Sequence, residues 1–269
     1  MNIALVGYLA AFLYLTGGFA TGLRLFGARR EIAVPVWTGR LLGAAALALH
    51  TLVLQQALLS EGGLNLSFFN VVSAVAWTIV LMLLAASLIR PVENLGILLL
   101  PLAGLTVLLE IRFPAIQLLE TDAATGVHLH VTISILAYSL LTLASVQALL
   151  LALQDHHLRR HRPGGFIRAL PPLQTMEDLL FQLIGSGFVA LSAALLSGFF
   201  FLEDMFAQHL VHKTALSMVA WVTFAVLVWG RWRHGWRGRT AINWTLVGFV
   251  LLMLAYFGSK AVLELMLGR

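Results

Sequence analysis

The stretch Leu66–Ile89, LSFFNVVSAVAWTIVLMLLAASLI, carries no charged side chain and is followed at once by Arg90. A helix needs about 20 mainly apolar residues to cross the hydrocarbon of a bilayer. This run is long enough. It is continuous rather than alternating, which favours a helix over a half-buried strand. In lipid only helices and closed barrels satisfy their own backbone polar groups. The segment therefore reads as a membrane-crossing helix that ends at a basic boundary.

Seven more runs of the same kind flank it. The predicted helices are about 2–23, 38–59, 66–89, 95–110, 128–154, 179–202, 211–230 and 242–266. Residues 1–269 then form a single polytopic membrane domain, an all-α integral membrane protein built as a bundle of eight transmembrane helices. Composition agrees: 60% of residues are hydrophobic and 11% charged. The first run has no basic segment before it, so it is expected to be a retained helix rather than a signal peptide. Pro101 predicts a kink in the short fourth helix. With no cysteine, the chain has no disulfide, no thiolate metal site and no C-x-x-C-H haem attachment of its own.

Charge sets the expected orientation. Of the 17 Lys and Arg, 13 fall after predicted helices 1, 3, 5 and 7. Cytoplasmic loops are the Lys/Arg-rich ones, so both termini should face outside. Trp37, Trp229, Trp232, Trp236 and Trp244 collect at the predicted inner interface, where indole sits well. The net charge of +5 is explained by this sidedness, and nucleic acid is not an expected partner. The loop at about 155–178 is expected to be a cytoplasmic turn. Gly39 and Gly43 predict close helix packing on the second helix.

The nine histidines divide by depth. His156, His157, His161 and His234 sit in basic loops. His50 lies about 12 residues, or ~18 Å, from the inner end of its helix and is the one histidine deep in hydrocarbon. An ionisable group there is a functional candidate, and a neutral imidazole bonded to a neighbouring helix is the plainer reading. No other predicted helix holds an ionisable group at mid-depth. His128 and His130 open the fifth helix, about 200° apart around it, so they cannot serve one site together. His209 and His212 precede or open the seventh helix. Imidazoles from two helices at one depth suit an iron porphyrin with two axial nitrogen ligands. Ser134, Ala137 and Leu141 continue the His130 face, and Ser134 could bond the ring nitrogen that faces away from the metal. Phe199, Phe200 and Phe201 could form an aromatic wall or a lipid-facing belt. Lys213, Arg112 and Lys260 are outer cations that could meet propionates.

The stretch Leu129–Ala144, LHVTISILAYSLLTLA, resembles the outer-histidine helix of the CcsA-type cytochrome c assembly proteins, with His130 and Tyr138 in matching places. Glu177–Phe201 is similar to the family helix that enters its haem-presenting loop. Lys213, Trp221 and Tyr256-Phe257-Gly258 also match. The runs RPVENL (from Arg90), LPPLQTMED (from Leu170), QHLVHK (from Gln208) and WGRWRHGWRGRT (from Trp229) resemble the YpjD/HemX-like branch. Two family features are missing: the Trp-rich, Asp-containing outer loop, replaced by FLEDMFAQHLVH at Phe201–His212, and a histidine beyond the last helix.

The resemblance implies a protein of the bacterial cytoplasmic (inner) membrane that handles haem b for cytochrome c biogenesis, with cytochrome c biogenesis proteins or an apocytochrome as partners. Haem would pass His50 and be held near the outer face by His130 and His212, with His209 in reserve and Lys213 and Ser134 beside it. No residue is assigned a catalytic role. Two other classes compete with this reading. One is a haem-free transport or regulatory accessory subunit with His50, Gln55 and Gln56 lining a polar path. The other is an electron-transferring cytochrome b with quinone, which usually needs histidine pairs stacked across the membrane.

Overall fold

The computed structural model describes residues 2–27, 34–60, 63–90, 92–120, 125–159, 170–201 and 211–258. Among them, eight helices are long and apolar enough to cross a membrane. They are α1 (Ile3–Gly27), α2 (Val36–Leu58), α3 (Phe68–Ser87), α4 (Gly96–Arg112), α5 (Thr125–Arg159), α6 (Leu173–Phe201), α7 (Val211–His234) and α8 (Gly238–Met253). The protein is an all-α membrane protein of eight spans. It divides into two compact units, the first holding α1–α4 and the second α5–α8.

In the first unit, close approach depends on missing side chains. A Cβ on Gly39 of α2 would collide with the Thr21 hydroxyl of α1, and one on Gly18 would lie 2.6 Å from the Pro101 ring of α4. Gly104 brings α4 within contact of the Ala11 backbone. Lipid gives helices no hydrophobic drive to associate, so such small-residue contacts supply the packing. Tyr14, Ala46, Val80, Leu100, Ala103 and Val107 fill the core. Arg40 of α2 pairs with Glu93, just before α4.

One end of this unit carries a small sheet that apolar periodicity did not predict. Its strands β1 (Leu59–Ser60), β2 (Gly63–Asn65) and β3 (Leu118–Glu120) pair antiparallel in that order. Leu64 lies opposite Leu59 on one side and Leu119 on the other. Gly63 turns the chain at φ 132°, a backbone state that side chains disfavour. The Asn65 amide donates to the Ala115 carbonyl at 2.9 Å, and its oxygen accepts from the Gln117 N–H, also at 2.9 Å. Strands of two and three residues are too short to leave an alternation signal.

In the second unit, Ala137, Leu141, Ala144 and Ala148 of α5 are fully buried in one stripe at helical spacing. Gly187 of α6 meets this stripe; a Cβ there would lie 2.6 Å from Leu141 Cδ2. Trp221 of α7 donates to Ser192 of α6 at 2.8 Å and stacks on Phe188. Gly235 and Gly238, both at positive φ, turn α7 into α8. Three acidic residues tie this end together. Asp155 bonds Arg159 and Arg239, Glu177 accepts from the Gly238 N–H at 2.8 Å, and Asp178 faces Arg231.

Helix α5 runs to Arg159 and α6 begins at Leu173, both longer than expected, so the loop between them is shorter than 155–178. Helix hydrogen bonds do not require apolar side chains, and the Asp155–Arg159 pair supports an extra turn outside the hydrocarbon. Hydropathy registers only the lipid-facing part. Pro101 does lie inside α4.

Candidate functional site

His130 sits in the second turn of α5, half-buried, with its ring directed at α6. Its Nδ1 lies 3.0 Å from the Ala194 carbonyl oxygen and 3.0 Å from the Ser197 hydroxyl. The Ser197 hydroxyl also donates to the Ala194 carbonyl at 2.9 Å. A hydroxyl has one proton, and Ser197 uses it there. A carbonyl can only accept. Nδ1 must therefore carry the ring proton and donate to both oxygens. The lone pair is left on Nε2, which has no hydrogen-bond partner among the described residues. A backbone carbonyl that fixes the far nitrogen is the usual support of a metal-binding imidazole.

The supporting serine is not the one expected. Ser134 is half-buried one turn further along α5, and the bond to His130 comes from Ser197 on α6 instead. An i,i+4 neighbour lies along the helix surface, whereas the His130 ring crosses to the next helix. Nothing in the sequence pairs position 130 with 197.

Phe201 at the end of α6 packs so closely on Gly126 that any Cβ there would collide with its ring. Gly126 and His130 are four residues apart and share one face of α5. Phe199 and Phe200 face outward. Phe201 is itself 42% exposed beyond its contact with Gly126. Two turns beyond His130, Tyr138 donates to the Leu252 carbonyl at 2.6 Å and packs on Tyr256 and Phe257. Those two belong to a π-helical turn, Leu254–Gly258, at the end of α8. A side chain bonded to a backbone carbonyl beside such a turn is a common cause of the disturbed ladder.

His212 lies in the first turn of α7, and its side chain falls outside what is described. His209 and Lys260 lie outside the described residues altogether. Lys213 is half-buried beside His212, while Arg112 is exposed in the first unit, over the Phe113 ring.

His50 belongs to the first unit and is fully buried in its core. Both ring nitrogens are engaged, Nδ1 with the Tyr14 hydroxyl at 3.2 Å and Nε2 with the Ser73 hydroxyl at 2.8 Å. Ligating iron would require breaking one of these bonds. Ser73 in turn donates to Glu110 of α4 at 2.5 Å. Glu110 is only 5% exposed, so His50 is not the sole buried ionisable group among the spans. Glu110 stands at the end of a predicted helix, where a carboxylate ordinarily meets water, so the apolar pattern does not mark it as buried.

Comparison with known proteins places these features in a family. The model of the family described as "Cytochrome C assembly protein" matches residues 38–267. The inner membrane protein YpjD of Escherichia coli (strain K12) is 32% identical, over 98% of this chain and 97% of its own. The cytochrome c biogenesis protein CcsA of Chlamydomonas reinhardtii is 25% identical, over 51% of this chain and 38% of its own. CcsA of Gloeobacter violaceus is 27% identical, over 35% of this chain and 29% of its own. No solved structure matches. A match across almost every span, joined to a relative similar along its whole length, means that the chain belongs to the cytochrome c assembly protein family.

Proposed function

We propose that the protein binds haem b close to the outer face of the bacterial cytoplasmic membrane and passes it on during cytochrome c assembly. Haem is the cargo, and partners such as an apocytochrome or other biogenesis proteins receive it. The observation that carries this reading is the fixed tautomer of His130, whose Nε2 lone pair has no partner among the described residues.

The residues present fit the group. Haem iron accepts imidazole, and its wide ring needs an apolar wall. His130 supplies one ligand and Phe201 an aromatic face on the same side of α5. His212, in the first turn of α7, supplies the second imidazole, with His209 as the alternative. Lys213 offers a charge to a propionate. The Ala194 carbonyl and Ser197 keep the His130 ring from rotating, so the ligand is in position before haem arrives. With the basic loops on the cytoplasmic side, this site faces outward.

The test is an absorption spectrum of protein purified from haem-replete cells. A bis-imidazole spectrum is expected, abolished by His130→Ala and weakened by either His212→Ala or His209→Ala. Protein that arrives haem-free and also takes up no added haemin would refute the reading.

A further inference from the structure

Four helices of the first unit each send one polar side chain into a single line through its core. Tyr14 of α1, His50 of α2 and Ser73 of α3 are fully buried, and Glu110 of α4 is nearly so. The donors can be ordered. The Ser73 proton goes to Glu110 Oε2, so Ser73 can only accept from His50. His50 then carries its proton on Nε2 and accepts from the Tyr14 hydroxyl at Nδ1. Every donor points toward the carboxyl. At the far end Glu110 Oε1 is buried with no hydrogen-bond partner among the described residues.

That last atom is an anomaly, and among the buried atoms so left it is the one on a carboxyl. Buried polar atoms are nearly always bonded, and a half-satisfied network costs more than an apolar core. Among the described residues no cation forms an ion pair with the carboxyl. The other titratable or charged side chains on α1–α4 are Tyr8, Arg24, Arg40 and Arg112. Tyr8 and Arg112 are exposed, and Arg24 and Arg40 stand at the opposite end of the unit, where Arg40 pairs with Glu93. A lone carboxylate among apolar spans is expensive and marks a functional position.

We propose that Glu110 is a proton-binding site, taking up and releasing one proton at Oε1 while the Ser73–His50–Tyr14 chain holds Oε2. On uptake an O–H bond forms at Oε1 with a proton from water, and the carboxylate becomes a neutral acid. On release that bond breaks and the proton returns to water. The three bonds of the chain keep their direction in both states. Glu110 stands two residues before the last residue of α4, so the proton's path to the sheet end is short. The site lies wholly in the first unit.

Infrared spectroscopy of the full-length protein in lipid reads the site directly. Wild type and Glu110→Gln are compared from roughly pH 5 to 10, the range in which buried carboxyl groups titrate. The expected result is a protonated-acid carbonyl band at low pH, lost in Glu110→Gln and replaced by carboxylate bands as pH rises. The proposal is overturned if no Glu110-dependent acid band appears at any pH, or if that band persists unchanged across the range. Should Glu110→Gln fail to fold, Ser73→Ala keeps the carboxyl and removes one bond to it. The acid band must then move to higher frequency; a band that stays in place also overturns the proposal.

Discussion

At the scale of single residues, the haem reading depends on one proton. His130 holds it on Nδ1 because both oxygens facing that atom are acceptors. Removing Ser197 loosens the ring without removing the ligand. Ser197→Ala should therefore weaken haem binding about 10- to 100-fold, the usual cost of losing such support, while leaving the spectrum's form intact. Haemin titration measures this. Ser134→Ala should titrate like wild type, because Ser134 makes no bond to the ring. His130 itself was legible in the sequence, from its place at a helix start beside a matching Tyr138. Ser197 was not, since its bond spans 67 positions and exists only once α5 and α6 pack.

At the scale of elements, the α5–α6 contact rests on absent volume. Gly187→Val places new carbon against Leu141 and should cost about 1–3 kcal/mol. A lowered thermal unfolding midpoint in detergent is the expected outcome, and an unchanged one would mean the helices are not pressed together there. Tyr138→Phe removes the hydroxyl bonded to Leu252 but keeps the aromatic packing. Hydrogen bonds between membrane helices contribute about 0.6 kcal/mol on average, so its midpoint should fall by much less than that of Gly187→Val. Helix existence was readable from apolar runs. Helix ends were not, because Asp155, Glu177 and Asp178 meet arginines from other segments and keep polar turns helical beyond the lipid. The sheet escaped for a related reason: Asn65 links strands that lie some fifty positions apart.

At the scale of the molecule, charge distribution predicts sidedness. Reporter fusions at either terminus should be active outside the cytoplasm, and fusions near Arg160 or Arg237 inside it. Activity of both termini in the cytoplasm would invert the assignment and move His130 to the inner face. The solvent, the eight spans and their order follow from the sequence alone, because hydropathy and charge are sums over neighbouring residues. The partners of the polar atoms do not. The carbonyl that orients His130, and the carboxyl reached from His50 through Ser73, come from segments far apart in the chain. Only helix packing brings them within bonding distance, and so only the tertiary structure decided which buried groups are satisfied and that Glu110 Oε1 is left bare among the described residues.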